Sequence, residues 1–287
     1  MNKTLLCLGF GYTAQALARH LIPQGWRIIG TTRDTGVTMD GVEILQWPGT
    51  ELTLDEITHV LVSIAPKESG DPILSEMKEA FTKADLDWVG YLSTTAVYGD
   101  RDGDWVDESD DLRPASPRGQ WRVAAEQAWQ GIDGLPVHVF RLAGIYGPGR
   151  GPFSKLRSGK VRRIIKEGQV FSRAHVEDIA QVLRASMAAP NPGAVYNVCD
   201  DEPAPPQDVI GYAAELQGLP MPPAVRYEDA DMTPMARSFY NENKRVRNDR
   251  IKDELGVQLI YPNYRVGLEA LVAAHDIDDR DKMPGGG

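Results

Sequence analysis

The chain carries two arginines, Arg118 and Arg122, four residues apart in SPRGQWRVAAEQAW, a segment with helical spacing. Residues four apart share one face of a helix, so the two guanidinium groups can act on one ligand. Arginine stays protonated at any ordinary pH, so the pair can bind an anion or stabilise a developing alkoxide, but it cannot serve as a general base. The alternative is a surface role, in which Arg122 pairs with Glu126.

A glycine turn, Gly9-Phe10-Gly11-Tyr12-Thr13-Ala14, stands between an apolar strand and a helix. The first glycine permits a tight turn, and the second lets the backbone approach a pyrophosphate at the helix N-terminus. Ala14 is small enough for close packing of the helix against the strand. Because a second strand follows, the pattern predicts dinucleotide binding rather than a purely structural turn.

The end of the second strand bears on the choice between NAD and NADP. An Asp or Glu here would hydrogen-bond the ribose 2′-hydroxyl of NAD. The strand instead ends Gly30-Thr31-Thr32-Arg33, and two hydroxyls with a guanidinium would suit a 2′-phosphate. We therefore expect NADP, whereas NAD stays open if Arg33 is a solvated loop charge paired to Asp34.

Apolar strands alternate with helical segments along the chain. The strands include THVLVSIAP, WVGYLSTTAVYG, VHVFRLAGIYG and AVYNVCD, and the helices include VAAEQAWQGI and HVEDIAQVLRASM. This alternation predicts an α/β fold with a Rossmann-like, doubly wound parallel sheet. From about Pro148, glycines, prolines and basic residues indicate a smaller C-terminal lobe.

The predicted domain boundaries follow these changes in pattern. The dinucleotide-binding domain covers residues 1–150, and residues 171–200 and 241–273 return to it. We expect an amphipathic helix over 241–256. The smaller lobe is formed by residues 151–170 and 201–240, and the charged, glycine-rich residues 274–287 are expected to be a flexible tail.

The overall composition excludes several classes of protein. Among the 287 residues, 41 acidic and 31 basic side chains give a formal charge of -10, which disfavours binding to nucleic acid or to an anionic membrane. Two cysteines are too few for a disulfide framework, and no apolar run could cross a bilayer, so we expect a cytoplasmic protein. His175, Glu177 and Asp178 do not have the spacing of HExxH, and no metal site is expected.

Five motifs occur in a familiar order: GFGYTA, LSTTAVYG, FRLAGIYGPGR, RAHVEDIA and VYNVCDDEP. In this order they resemble the NAD-dependent epimerase/dehydratase branch of the extended short-chain dehydrogenase/reductase superfamily. The resemblance spans most of the chain and is strongest through about residue 200. It implies a Rossmann domain for NAD(P) and a C-terminal lobe for substrate, often a nucleotide sugar. A homodimer is common in the family, but the oligomeric state stays open.

The resemblance also implies roles for single residues. Thr94 matches the Ser or Thr that hydrogen-bonds the substrate oxygen. The family's Tyr donates or takes the proton, and its Lys lowers the pKa of that Tyr; these two positions correspond to Arg118 and Arg122. The chain therefore resembles atypical members, some of which are enzymes with rearranged sites and some of which only bind nucleotide.

A tyrosine at a strand end could replace the missing proton donor. Tyr98 is our preferred candidate, with Arg122 as the neighbouring cation that lowers its pKa. Tyr146 ends a later strand at the edge where ligands bind in open α/β sheets. The alternative is that both tyrosines pack against the cofactor or the core, with their hydroxyls on backbone groups.

A basic run lies at the start of the predicted substrate lobe. Lys155–Arg173 contains seven basic residues and one acidic residue, Glu167. In a chain of net negative charge, this local reversal predicts an anionic substrate group, such as a diphosphate or a carboxylate, held by Arg173 with help from Arg157, Arg162 or Arg163. A solvated loop or a subunit contact is the alternative. Arg118 is a separate candidate for a substrate contact, because an arginine that points inward from the helix suits an anionic substrate.

These motifs together predict an NADP-dependent oxidoreductase or epimerase-like enzyme. Hydride would pass to or from a hydroxyl or carbonyl carbon of an anionic small molecule such as a nucleotide sugar. The alternative is a non-catalytic NADP(H)-binding sensor or regulatory protein. The predicted catalytic residues are Thr94, Tyr98 and Arg122, or a bound water. The predicted cofactor contacts are Gly9, Gly11, Tyr12, Thr13, Ala14, Thr32, Arg33, Ala65 and Tyr146.

Overall fold

A computed structural model describes residues 3–274 of the chain. The strands are β1 (Thr4–Leu8), β2 (Arg27–Thr32), β3 (Val42–Gln46), β4 (His59–Val62), β5 (Trp88–Thr94), β6 (Trp105–Val106), β7 (Val137–Leu142), β8 (Gly144–Tyr146), β9 (Arg163–Ile165), β10 (Arg173–His175), β11 (Val195–Val198), β12 (Ala224–Arg226) and β13 (Arg245–Val246). The helices are α1 (Tyr12–Leu21), α2 (Pro72–Lys83), α3 (Pro117–Gln130), α4 (Phe153–Arg157), α5 (Val176–Ala188), α6 (Pro206–Leu216), α7 (Pro234–Phe239), α8 (Asp249–Asp253) and α9 (Tyr264–Ala273). The predicted tail lies outside the described residues, except for residue 274.

Seven strands form one parallel sheet in the order β11-β7-β5-β4-β1-β2-β3. Because β2 and β3 lie on one side of β1 and β4 on the other, the chain reverses its direction of travel beside β1. This reversal opens a crevice at the carboxyl ends of β1 and β4, where open α/β sheets bind ligands. The predicted α/β, Rossmann-like, doubly wound sheet is confirmed.

Helices cover both faces of this sheet. On one face, Leu17 of α1 packs in the same cluster as Ile179 and Leu183 of α5. On the other face, Phe81 of α2 and Trp129 of α3 meet edge to face, with ring centroids 4.9 Å apart. These apolar faces are buried on both sides, which explains why the central strands are almost uninterrupted apolar runs.

The smaller lobe has its own apolar cluster, formed mainly by α4, α6 and α9. Phe153, Val209 and Leu268 contribute to it from these three helices. Gly267 lets α9 approach closely, because a Cβ atom at this position would lie 2.1 Å from the hydroxyl of Tyr146. Helix α9 therefore packs in the lobe, whereas the sequence predicted that 241–273 would return to the sheet domain.

The predicted helix over 241–256 is wrong except at its C-terminal end. Residues Arg245 and Val246 form β13, which pairs with β6, and only α8 is helical. The residues before α8 form a strap, defined here as residues 240–246, that runs between the lobe and the loop after β5. Pairing with distant backbone has overridden the local helical pattern, as tertiary contacts often do.

Asn243 fixes the strap at both sides. Its backbone N–H donates to Asp100 Oδ1 at 2.7 Å, and its carbonyl accepts from the N–H of Arg101 at 3.0 Å. Its side-chain oxygen accepts from the N–H of Val170 at 3.1 Å, and its side-chain nitrogen donates to the carbonyl of Gly168 at 3.1 Å. One residue thus joins the loop after β5 to the segment that precedes β10.

A buried ion pair connects strand β7 to helix α3 beside the end of β5. Arg141 on β7 and Glu126 on α3 meet at 2.8 Å, and their side chains are 6% and 2% exposed. Ser93 donates to the same carboxylate, while Arg141 Nη1 donates to the hydroxyl of Tyr98 at 2.9 Å. Tyr98 in turn donates to Asn197 Oδ1 on β11 at 2.7 Å. The network joins three neighbouring strands, one helix and the turn after β5.

Among residues 3–274, no helix is both long enough and apolar enough to span a membrane.

We expect Arg141→Met to lower the free energy of unfolding by about 3–5 kcal/mol, because Glu126 would keep its charge in a buried place without the partner cation. Urea denaturation measures this change. The double variant Glu126→Gln/Arg141→Met should recover part of the loss, since neither charge then remains. Glu79→Gln, at an exposed pair with Lys83, is the control and should have little effect. A double variant no more stable than Arg141→Met would show that the cost is packing and not charge.

Candidate functional site

The glycine turn between β1 and α1 leaves the start of the helix open. Gly9 has a φ of +95°, and a Cβ atom there would lie 2.6 Å from Ser63 Oγ, so only glycine fits. Gly11 is exposed, a Cβ atom on it would meet nothing within 4 Å, and no side chain caps α1. The first N–H groups of α1 therefore face open space, where they can bind an anion. This arrangement fits the diphosphate of a dinucleotide.

The other predicted contacts in this turn divide into exposed and buried groups. Tyr12 is half-buried, and its hydroxyl donates to the carbonyl of Pro148 at 3.0 Å. Thr13 and Ala14 are buried against the sheet, 6% and 0% exposed, so they support the turn from behind. Ala65 is exposed in the loop after β4, on the opposite side of the crevice.

The end of β2 presents Thr32 and Arg33 beside this turn. Thr31 is buried, with 1% of its surface exposed, and its hydroxyl accepts from the N–H of Gly9 at 2.9 Å. It therefore stabilises the turn and is not available for a phosphate. Thr32 Oγ1 accepts from the N–H of Asp34 at 3.0 Å. The Asp34 carboxylate accepts from the backbone of Gly36 at 2.9 Å. Arg33 is exposed at the edge of the crevice.

Thr94 ends β5 and begins the short 3₁₀ turn Thr95–Tyr98. It is half-buried, and its Oγ1 accepts from the N–H of Ala96 at 3.2 Å. The bond uses an oxygen lone pair, so the hydroxyl can still donate its hydrogen to a substrate oxygen. The start of α3 packs on this turn, because a Cβ atom on Gly119 would lie 3.2 Å from the carbonyl of Ala96.

The two arginines of α3 have different environments. Arg118 is exposed at the start of the helix and makes no hydrogen bond or ion pair with the residues that the structure describes. Arg122 Nη1 donates to the hydroxyl of Tyr91 at 3.0 Å and to the carbonyl of Leu92 at 2.7 Å. The expected alternative of a surface pair between Arg122 and Glu126 is wrong, because Glu126 is buried and pairs with Arg141.

Tyr98 is enclosed by the buried network and is 0% exposed. Burial raises its pKa to about 12, although Arg141 opposes this shift. The neighbouring cation is therefore Arg141, whose Cζ lies 5.0 Å from the ring centroid, and not Arg122 as predicted. With both its donor and its acceptor bond made inside the protein, this hydroxyl faces no substrate, and its predicted catalytic role finds no support in its surroundings.

Tyr146 lies between the lobe and β10. It is 7% exposed, its ring meets that of His175 edge to face at 5.1 Å, and burial raises the pKa of its hydroxyl. His175 Nδ1 accepts from the N–H of Glu177 at 3.2 Å and so caps α5. Asp178 accepts from the N–H of Ile260 at 2.7 Å. The HVED motif therefore has a structural function here.

Arg173 lies half-buried at the start of β10, and burial lowers its pKa. Its Nη1 donates to the carbonyls of Phe171 at 2.8 Å and Ala204 at 3.1 Å, which holds the guanidinium at the border of the lobe. Other members of the basic run are spread over the lobe surface. Arg163 donates to the carbonyl of Pro222, and Lys166 donates to that of Tyr240, so the run does not form one patch.

Asp200 is a buried carboxyl that the sequence analysis missed. It is 2% exposed, and neither carboxyl oxygen has a hydrogen-bond partner among the described residues. Burial raises its pKa to about 8, opposed by the nearby charge of Arg173. The signal in the sequence was an acidic residue directly after the apolar strand VYNVC, which is an unusual place for a charge.

We expect the stability of the protein to depend on the protonation of Asp200. Since its folded-state pKa lies above its ordinary value of 3.8, its contribution is fully present at low pH and is lost as the pH rises from about 4 to about 8. The wild type should therefore lose stability relative to Asp200→Asn between pH 5 and pH 8 in urea denaturation. Asp40→Asn, at an exposed position, should run parallel to the wild type. A parallel course for Asp200→Asn as well would contradict the raised pKa.

Comparison with known proteins places the chain among relatives along nearly its whole length. No protein-family profile matches it. A functionally unknown conserved protein from Silicibacter pomeroyi is 67% identical, with a TM-score of 0.93, and the match covers 95% of this chain and 99% of that one. Protein YeeZ of Escherichia coli K12 is 26% identical, and the match covers 91% of this chain and 97% of YeeZ.

Solved structures with described activities share the same fold. A proposed NAD-dependent epimerase/dehydratase from Methylobacillus flagellatus is 27% identical, with a TM-score of 0.71, and the match covers 96% of this chain and 98% of that one. Further structures of epimerase and dehydratase type, bound to NAD or NADPH, have the fold at 16–18% identity.

Proposed function

We propose that the chain belongs to the NAD-dependent epimerase/dehydratase branch of the extended short-chain dehydrogenase/reductase superfamily and that it is an NADP(H)-dependent oxidoreductase or epimerase-like enzyme. Its substrate is a small anionic molecule with a hydroxyl or carbonyl carbon that exchanges a hydride. The observation that carries this proposal is the open, uncapped start of α1 on one side of a crevice that has Thr94 at its other side.

The cofactor would be held by the residues that surround this crevice. The N–H groups at Gly11, Tyr12 and Thr13 suit the diphosphate, and Arg33 suits the 2′-phosphate of NADP. The absence of an acidic residue at the end of β2 removes the usual partner of the NAD ribose and supports NADP over NAD. When bound, the nicotinamide supplies or accepts the hydride.

Thr94 would orient the substrate by donating its hydroxyl hydrogen to the reacting oxygen. Arg118, exposed beside the turn that follows Thr94, would add positive charge where an alkoxide develops. Neither arginine of α3 can accept a proton from the substrate. In the reducing direction the oxygen therefore takes its proton from water, and in the oxidising direction it returns the proton to water.

Arg122 and Tyr98 would act as supports for this site. Arg122 is anchored to the carbonyl of Leu92, two residues before Thr94, and so fixes the end of β5. Tyr98 has a pKa of about 12 and no open face, so we assign it to the buried network instead of to proton transfer.

The anionic part of the substrate would lie toward the lobe. Arg173 is held at the lobe border by two carbonyls, which leaves its remaining N–H groups for a phosphate or carboxylate. A nucleotide sugar has both the anionic group and the oxidisable hydroxyl that this arrangement needs. The class of nucleotide sugars is therefore our first choice of substrate.

A second candidate is a nucleotide-binding sensor without catalytic activity. It is favoured by one observation: the side chains at the positions of the family's Tyr and Lys are arginines, one of which is anchored to the sheet. A sensor would bind the dinucleotide in the same crevice and turn over no substrate.

We expect the purified protein to bind NADPH at least about tenfold more tightly than NADH, because a charge-assisted bond to the 2′-phosphate adds about 1.4 kcal/mol or more. Calorimetric titration with both dinucleotides measures this ratio. Arg33→Ala should weaken NADPH binding and leave NADH binding unchanged. Equal affinities of the wild type for NADPH and NADH would support NAD as the cofactor instead. If the wild type bound neither dinucleotide, the proposed function would be wrong.

We expect Thr94→Val to keep NADPH binding and to lower the rate of NADPH oxidation in the presence of oxidised nucleotide sugars by about 100-fold, since it removes a hydrogen bond to the reacting oxygen. Tyr98→Phe should retain the rate within a few fold and lower stability by about 1–3 kcal/mol, because Arg141 loses an acceptor. A large loss of rate in a well-folded Tyr98→Phe protein would restore Tyr98 as the proton donor. The absence of turnover in every protein would favour the sensor.

A further inference from the structure

The turn Gly147–Arg150 follows β8 and has a fixed shape. Pro148 and Gly149, with a φ of +65°, are the central residues of a type II turn. The N–H of Arg150 donates to the carbonyl of Gly147 at 2.9 Å, and the reverse bond is 3.0 Å long. The turn therefore presents Arg150 from a constrained backbone rather than from a loose loop.

This turn is docked on the first residue of α1. The hydroxyl of Tyr12 donates to the carbonyl of Pro148 at 3.0 Å. Gly147 has a φ of +151°, and a Cβ atom on it would lie 2.6 Å from that same hydroxyl and 2.8 Å from Val176 Cγ1. Only glycine permits this approach, so the contact between the turn and the start of α1 is part of the fold.

Arg150 extends from the turn over Tyr12. Its Cζ lies 5.6 Å from the centroid of the Tyr12 ring, a distance at which the ring attracts the cation. The side chain is exposed, and no carboxylate or carbonyl within residues 3–274 accepts a hydrogen bond from it. Gly11 immediately precedes Tyr12, and a Cβ atom on Gly11 would meet no other atom within 4 Å. A guanidinium with its N–H groups unused thus stands beside the uncapped start of a helix.

We propose that Arg150 binds the diphosphate of the dinucleotide. This inference rests on the proposed function, because it concerns the same crevice. The N–H groups at the start of α1 approach the diphosphate from the helix, and the guanidinium closes over it from the docked turn. Its planar fork can donate two bonds to phosphate oxygens, which a lysine cannot.

Arg150 and Arg33 would have separate roles in cofactor binding. The diphosphate is common to NAD and NADP, so Arg150 contributes equally to both. Arg33, at the end of β2, contributes only where a 2′-phosphate is present. In a chain of formal charge -10, these two local cations also oppose the general repulsion of an anionic cofactor.

The test compares full-length wild type, Arg150→Ala, Arg150→Gln and Arg33→Ala by calorimetric titration with NADPH, NADH and adenosine 2′-monophosphate. Arg150→Ala should weaken both dinucleotides by about tenfold, and Arg150→Gln should weaken them nearly as much because it lacks the charge. Adenosine 2′-monophosphate contains no diphosphate, so its affinity should not change. Arg226→Ala, which removes an exposed arginine of the lobe that pairs with Glu228, is the control for net charge.

The outcomes separate this inference from the proposed function. If the wild type binds NADPH and both Arg150 variants bind it within about twofold, the inference is wrong and the proposed function stands. Equal losses in Arg150→Ala and Arg226→Ala would also overturn it, since general charge would then explain the effect. If the wild type bound neither dinucleotide, both the inference on Arg150 and the proposed function would be wrong. Because Arg150 is exposed, unchanged urea denaturation curves should accompany each supporting result.

Discussion

The buried ion pair between Arg141 and Glu126 is the constraint on which the site depends. Two charges removed from water are stable only when each has close partners, and removal of one partner leaves the other at a high cost. Here Ser93 donates to Glu126 and the Tyr98 hydroxyl accepts from Arg141, while Tyr98 in turn donates to Asn197 on β11. Satisfying the charges therefore fixes the end of β5 and the turn after it. Thr94, the next residue after Ser93, takes its position from this network.

The same constraint explains the separation of roles around β5. A tyrosine that completes the surroundings of a buried guanidinium cannot also exchange protons with a ligand, because its pKa is raised and its bonds are used. Under the proposed function, the chain keeps groups that bind and orient a ligand, and it has arginines at the two positions that correspond to the family's Tyr and Lys. Under the proposed function, the site supplies placement and charge, while water exchanges the proton.

The sequence predicted the sheet well because its signals are local. The glycine turn, the apolar strands and the helices between them each follow from short patterns, and the parallel order follows from their alternation. The failures concern contacts between distant residues. Nothing near Arg122 indicates that its partners are Tyr91 and Leu92 on β5, or that Glu126 pairs with Arg141 instead. The helix predicted over 241–256 failed for the same reason, since the partner of β13 lies far away in the sequence.

The strap centred on Asn243 has a consequence for how this fold can be recombined. Its bonds join the loop after β5 to the segment before β10, so the lobe and the sheet are linked by backbone and side-chain hydrogen bonds of a single residue. A chimera that exchanged the segment before β10 for that of a relative, without the strap, would break the two bonds that the Asn243 side chain makes to Gly168 and Val170. The loop after β5, the segment before β10 and the strap would have to be transplanted as one unit. The smaller lobe is thus not an independent module, although it has an apolar cluster of its own.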